Sequence, residues 1–476
     1  MVETPDRTVM HKLYRLLCLR FSRKGSLLAL VIVIMAVMAL TPSRAQMGEK
    51  MSFIRDAEIE YYLRELGNPI FKAASLDTNA VNLLIIDNPA INAFVAGGMN
   101  IFFFTGLLEK TDNPEELQGV LAHETGHIEG GHLIQGKAAM RDASAQAIIG
   151  MLAGVLAGFA TQDSRVAIGA IGGAQTLAER SFLRYTRAQE SSADTAAMRY
   201  MDETGQSSQG LLSFMQKLAG QDMLPLDRQS EYVRTHPLSQ DRVQSIEHHV
   251  ETKKANLKKD LGPELHHKHE RMKAKLLGYL HPQTALLKYT DKDPRPEARY
   301  ARAIALYRSH QIDRSLAVLD GLIKQEPSDP FYTELKAQIL FETGKIAPAV
   351  DFYKKAVELL PDSALLHLAY GHALIESNDP QVIDLAIQNL LESNRLEQRN
   401  PQVWRFLAAA WGKKSEKDNK YQGLVFYSLA EESLTMGKDK AAKEYADRAV
   451  KTLSKGSPYW LRAQDIALSV SNHSDD

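Results

Sequence analysis

A step of 34 residues constrains this chain more than any other feature. Pro327 and Pro361 stand one step apart. Before them Ala303 matches Ala337, Leu306 matches Leu340, Leu319 matches Tyr353 and Leu322 matches Ala356. Small and apolar residues at helical spacing, with a proline closing each unit, describe helix pairs that cannot bury their apolar faces alone and must stack on their neighbours. The pattern continues through Gly371, Leu374, Ala386 and Leu390 after a short insertion at Asn378-Asp379-Pro380. It goes on through Trp404, Leu407, Ala408 and Trp411, then Tyr427, Ala430, Gly437, Ala442, Ala446 and Ala449. About four or five units follow from this count. A non-repetitive bundle would not hold one register over so many positions.

The unit resembles the tetratricopeptide repeat, so residues 296–470 are expected to form an α-solenoid whose concave surface grips peptides or partner proteins. Ahead of it, residues 256–295 are dense in charge (KKANLKKD, HHKHERMKAK, DKDPRPEAR) and read as a solvated, partly helical linker.

Residues 46–255 hold the chemistry. Asn113-Pro114-Glu115-Glu116 opens a helix: asparagine caps, proline suits the first position, and the acids complement the positive end. The helix should run from 114 to 129 and stop at Gly130-Gly131. On it LAHETGHIEGGH (121–132) sets His123 and His127 four apart on one face, the bite that brings two imidazoles to one metal. Glu124 follows its histidine directly and can reach a water at such a site, as HExxH helices require. Gly126 is costly inside a helix, which implies that something passes close to the backbone there. His132 lies five residues past His127, off the ligand face, and is assigned no role.

Two histidines do not complete a catalytic site. Glu190 and Asp194, four apart in AQESSAD (188–194), face one way on a second helix. Glu190 can ligate, while Asp194 accepts from an imidazole N–H or shuttles a proton. Without the upstream motif the pair would be an ordinary exposed acidic face. His236, in YVRTHPLS (232–239), is either a turn residue or a group that reaches the open metal position, switching the site off or stabilising a substrate oxygen. His248, His249, His266, His267 and His269 sit among charges and are expected to be solvated. Two histidines and a carboxylate favour zinc, one ion per subunit, although spacing alone does not identify the metal.

Composition sets the compartment. The formal net charge of −1 gives no argument for nucleic acid. Six Lys or Arg lie between Arg7 and Lys24, followed by the apolar run LLALVIVIMAVMAL (27–40) and TPSRA (41–45). This is the three-part form of a secretory signal peptide, with cleavage expected after Ala45; the apolar run is shorter than the ~20 residues of a membrane span. Removing residues 1–45 takes away seven basic and two acidic residues, leaving 50 against 56. The single cysteine, Cys18, lies in that leader, so any metal must be held by His, Asp or Glu.

The motifs NAFVAGGMNIFFFTGLL (92–108), HETGH, ESSAD and RTHPLSQDR (234–242), in that order, resemble the HtpX-type and CAAX-prenyl-protease superfamily of gluzincins. The resemblance implies an α+β, mostly helical fold: a gluzincin metalloprotease domain with a small β-sheet, followed by the solenoid. It implies that His123, His127 and Glu190 hold zinc, that Glu124 is the catalytic base, and that Asp194 supports the site, often as a proton donor. It further implies that His236 is a loop histidine able to cap the metal, and that the 92–104 segment is the sheet edge on which substrate lies. With an export signal before it and repeats after it, the whole resembles periplasmic proteases of outer-membrane protein quality control.

The expected activity is therefore zinc-dependent endopeptidase cleavage of unfolded or misassembled proteins, with the repeats recruiting clients or the outer-membrane assembly machinery. The alternating run 91–104 reads as a hairpin around Gly97-Gly98, whose outer strand could pair an extended main chain. A chaperone or scaffold with a mostly closed metal site is the competing reading. Residues 143–177 carry Gly/Ala-rich apolar runs interrupted by Gln162-Asp163-Ser164-Arg165. They read as a buried or membrane-touching helix pair rather than two spans, with close helix packing or a plug over the zinc as the plainer reading, peripheral membrane contact left open and an integral-membrane protease as the third reading.

Overall fold

The computed structural model describes residues 52–132, 186–225, 228–253, 257–258, 260–398 and 400–472. The expected signal peptide and the 143–177 segment lie outside these residues. No helix among the described residues is long and apolar enough to cross a membrane.

Strands β1 (Phe53–Ile54), β2 (Asn82–Ile86), β3 (Ala93–Ala96) and β4 (Asn100–Phe104) form one sheet in the order β1-β2-β4-β3. Helix α1 (Ala57–Ala73) precedes β2, and α2 (Thr105–Lys110) and α3 (Pro114–Glu129) follow β4. The expected hairpin is present: β3 and β4 pair antiparallel from Ala93↔Phe103 to Ala96↔Asn100. Gly97 and Gly98 turn the chain at φ +62° and +100°, where side chains are strained. β3 is thus an edge strand. Phe104 N–H donates to Asn92 O at 3.0 Å, so by antiparallel alternation Asn92, Phe94 and Ala96 face β4, while the main-chain groups of Ala93 and Val95 point away from the sheet.

The core beneath the sheet joins Leu63, Leu66, Ile70 and Phe71 of α1, Ile85, Ile101 and Phe103 of the strands, and Leu117, Val120 and Leu121 of α3. A helix over residues 186–203 and α4 (Gln209–Leu218) close the far side of α3. After α5 (Glu231–Thr235) and α6 (Gln240–Lys253), the segment expected to be a solvated, partly helical linker holds two helices, α7 (Pro263–Leu280) and α8 (Pro282–Lys288), and is not solvated throughout. α7 buries Met272, Ala274, Lys275 and Leu276. The charge that suggested solvation is satisfied internally. Lys275 Nζ lies 2.7 Å from Asp56 and 3.0 Å from Glu58. Arg271 pairs with Glu58 and Asp329. His269, also expected to be solvated, is buried, with Nδ1 2.9 Å from Tyr62 Oη.

The repeats follow as helix pairs: α9 (Pro296–Arg308) with α10 (Ile312–Gln325), α11 (Pro330–Glu342) with α12 (Ile346–Leu359), and α13 (Ala364–Glu376) with α14 (Ile383–Leu396). They continue with α15 (Pro401–Ser415) and α16 (Gln422–Thr435), then α17 (Asp439–Thr452) and α18 (Pro458–Asn472). Small residues sit where helices cross. A Cβ on Gly371 would lie 2.8 Å from Leu390 Cγ, and Ala337, Ala349, Ala356, Ala373 and Ala386 are fully buried. The insertion expected at Asn378 is a turn with that residue at φ +54°, in the left-handed region asparagine tolerates. Arg55, just before α1, reaches across to Glu397 at 2.7 Å. Beside this bridge a cavity of about 730 Å³ opens between the sheet and the repeats, lined by Arg64, Asn82, Asn100, Glu397 and Arg462 among others.

Candidate metal centre

α3 has the bounds expected from sequence. Asn113 Oδ1 accepts from Glu116 N–H at 2.9 Å, Pro114 takes the first turn, and Gly130 ends the helix. His123 and Glu124 are fully buried on it. Gly126 answers its own question: a Cβ there would stand 2.8 Å from Ala193 O, so the helix carrying Glu190 and Asp194 crosses α3 at van der Waals contact. That close crossing is what sets the two acids against the two histidines.

Four groups converge. Ligand atoms of His123, His127, Glu190 and His236 all lie within 4.8 Å of one another. His123 Nε2 is 3.1 Å from His127 Nε2, 3.3 Å from Glu190 Oε2 and 3.4 Å from His236 Nδ1. Glu190 Oε1 is 3.4 Å from His127 Nε2, and Glu190 Oε2 is 3.2 Å from His236 Nδ1.

Each imidazole has its outer nitrogen tied elsewhere. His123 Nδ1 lies 2.9 Å from Asp194 Oδ1, His236 Nε2 lies 3.1 Å from the main-chain oxygen of Ala93, and His127 Nδ1 lies 3.0 Å from His132 Nδ1. Protons on those outer nitrogens leave bare lone pairs facing inward, toward one another and toward a carboxylate. Lone pairs at 3.1 Å repel unless a cation or proton lies between them. The nitrogen and oxygen donors, the outer-shell partners and the burial fit a divalent ion such as zinc.

Without a cation the charge of the site is shared among its titratable groups. Burial alone would depress His123, yet its bonds to Asp194 and Glu190 outweigh that and lift it to about 10. His127 falls well below its usual value through burial and the neighbouring His123. Glu190 drops well below the carboxylate range because His236 and His123 overcome the cost of burial. Asp194 is lowered against burial by Arg242 and then His123. Glu124 moves the other way: it is fully buried, neither carboxylate oxygen has a hydrogen-bond partner, and burial pushes it up. Oε1 is 3.4 Å from His236 Nε2 but not aligned for a bond.

Two neighbours were missed by sequence reasoning. His132 is not off the site: the turn at Gly131 (φ +61°) folds it back under His127, and it is buried. Arg242 is buried and forks onto Asp194 through Nε at 2.6 Å and Nη2 at 2.8 Å. The Gly130-Gly131 pair was a signal for the first. The second closes the RTHPLSQDR motif, but its partner lies 48 residues away, so nothing local announced the contact.

The description of peptidase family M48 matches residues 57–250. The protein named Beta-barrel assembly-enhancing protease in Yersinia pestis is 25% identical over 383 residues, covering 78% of this chain and 76% of that protein. Its namesake in Escherichia coli (strain K12) is 23% identical over 381 residues, with 78% and 76% covered. Metalloprotease YcaL of Escherichia coli (strain K12) is 30% identical over 173 residues, 36% of this chain and 63% of that protein. The matched span contains the whole cluster around His123, and residues 57–250 of this chain form a peptidase family M48 domain.

Proposed function

We propose that the chain is an exported, zinc-dependent endopeptidase that cleaves unfolded or misassembled proteins of the outer-membrane assembly route, with its repeats holding clients or partners. The observation that carries the chemistry is the convergence of His123, His127 and Glu190 beside the buried, unpartnered Glu124. The resemblance to the beta-barrel assembly-enhancing proteases supports the substrate class, and the basic-then-apolar leader supports a periplasmic location.

His123, His127 and Glu190 would hold the ion, which supplies Lewis acidity toward a scissile carbonyl and acidifies water. Glu124 is the base: its carboxylate is desolvated, which raises its proton affinity toward the range useful near neutral pH. It takes a proton from the attacking water and delivers it to the leaving amine. Asp194 reads as a positioning group rather than the proton donor, because one oxygen faces His123 Nδ1 and both are held by Arg242. The edge strand β3 would bind an extended substrate through its outward main-chain groups. The cavity between the sheet and the repeats, polar and away from the metal centre, suits a partner segment rather than the reaction.

A second reading has an observation of its own. His236 Nδ1 stands within reach of the same cluster, so four protein groups can fill four coordination positions, as in closed structural zinc sites. In that state the chain is latent, and a chaperone or scaffold role would dominate.

Metal analysis of the purified protein, with casein cleavage measured with and without a chelator, tests the proposal. Stoichiometric zinc and chelator-sensitive cleavage are expected. A protein that binds zinc yet cleaves nothing even when His236 is replaced by alanine would leave the scaffold reading.

A further inference from the structure

Arg242 stands in the first turn of α6, six residues after His236, and is 3% exposed. Its guanidinium makes four contacts inside the site. Nε and Nη2 fork onto Asp194 Oδ2 and Oδ1 at 2.6 and 2.8 Å. Nη1 reaches Glu190 Oε2 at 3.0 Å and Pro237 O at 2.9 Å. One planar group therefore touches Glu190 and Asp194 of the 186–203 helix and the loop that carries His236.

The charges give this geometry a purpose. Glu124, Glu190 and Asp194 bring three carboxylates into one buried space. A divalent cation compensates two of them, and Arg242 compensates the third. The fork also fixes the plane of Asp194, so that Oδ1 stays in line with His123 Nδ1 and keeps the lone pair of His123 Nε2 on the inward side. Lysine could supply the charge but not this two-point hold.

We propose that Arg242 is a positioning residue for the metal centre: acting through Asp194 and Glu190, it sets the orientation of His123 and the affinity for the divalent ion. The inference rests on the zinc reading above and goes beyond it, since it concerns a residue that would not touch the ion. A surface-type ion pair with a merely structural role would leave metal affinity alone.

The test is a double-mutant cycle in the full chain, with the zinc dissociation constant measured by competition with a chromophoric chelator. R242Q and D194N should each weaken zinc binding about 10- to 100-fold. The double variant should be no weaker than the worse single one, because both break one chain of contacts. Should R242Q fail to fold, R242K provides the same test. It is expected to keep the melting temperature of the metal-free protein, to bind zinc several-fold more weakly, and to shift the visible bands of the cobalt-substituted protein. Zinc affinity in R242K within about twofold of wild type, or losses in the cycle that simply add, would overturn the inference while leaving the zinc reading intact. A wild-type chain that takes up no zinc would overturn both.

Discussion

His236 Nε2 lies 3.1 Å from the main-chain oxygen of Ala93, an atom that points out of the free edge of the sheet. Four residues earlier, Tyr232 N–H donates to Ile91 O at 3.0 Å, and Thr235 Oγ1 donates to Asn92 Oδ1 at 3.2 Å. The short helix ending at His236 therefore packs against residues 91–93, at the start of the strand on which an extended peptide would pair, and the same imidazole turns its Nδ1 to Glu190. If β3 binds substrate as proposed, His236 and the substrate main chain would compete for the Ala93 oxygen. With a competent minor state populated at roughly 0.1–10%, His236→Ala should raise kcat/KM on an unfolded substrate by about tenfold or more. The gain should appear with casein and vanish on adding chelator. Unchanged kcat/KM in a zinc-loaded variant would show that His236 does not cap the site.

Glu124 is the clearest single-residue test of the chemistry. Glu124→Gln keeps the shape and removes the base, so hydrolysis should fall about a hundred- to ten-thousand-fold while zinc content stays stoichiometric. Its carboxylate oxygens are buried without hydrogen-bond partners, so the neutral amide relieves a desolvation cost. The melting temperature should accordingly not fall. Loss of activity accompanied by loss of zinc would instead make Glu124 a structural member of the site.

Much of this site was legible because helix geometry is local. Four-residue spacings at His123/His127 and Glu190/Asp194 predicted shared faces, and Gly126 predicted a close neighbour that proves to be Ala193. The 34-residue step predicted the helix pairs for the same reason, down to the insertion at Asn378. What could not be read was how distant residues neutralise one another. Lys275 looks solvated until Asp56 and Glu58 arrive from more than two hundred residues away, and Arg242 looks like a helix-surface charge until the 186–203 helix docks on it. Charge density signals exposure only when no complementary charge is brought in by the fold.

Lys275 gives that point a measurable consequence. Its ammonium is buried between Asp56 and Glu58 at the junction of α1, α7 and the first repeats. Lys275→Ala strands two acids with one partner fewer and should destabilise the chain by about 3–5 kcal/mol. Denaturant unfolding monitored by circular dichroism would measure it. A change below about 1 kcal/mol, the size expected of an exposed pair, would mean that water reaches the cluster.

His269 predicts how the fold responds to acid. It is buried on α7, with Nδ1 against Tyr62 Oη and Nε2 3.1 Å from Thr111 O, and burial first, then its positive neighbours, lower its pKa from 6.5 to about 4. The unfolded chain binds this proton near pH 6.5 and the folded chain only near pH 4, so acid favours the unfolded state. The contribution of His269 is complete above pH 6.5, declines as pH falls toward about 4, and is constant below that. By linkage the loss is on the order of 3 kcal/mol. His269→Gln should be less stable at pH 7.5 but should lose stability less steeply than wild type between pH 6.5 and 4, in chemical denaturation of the metal-free protein. Parallel pH slopes for the two proteins would show that His269 is protonated within the fold and that the acid response comes from other groups.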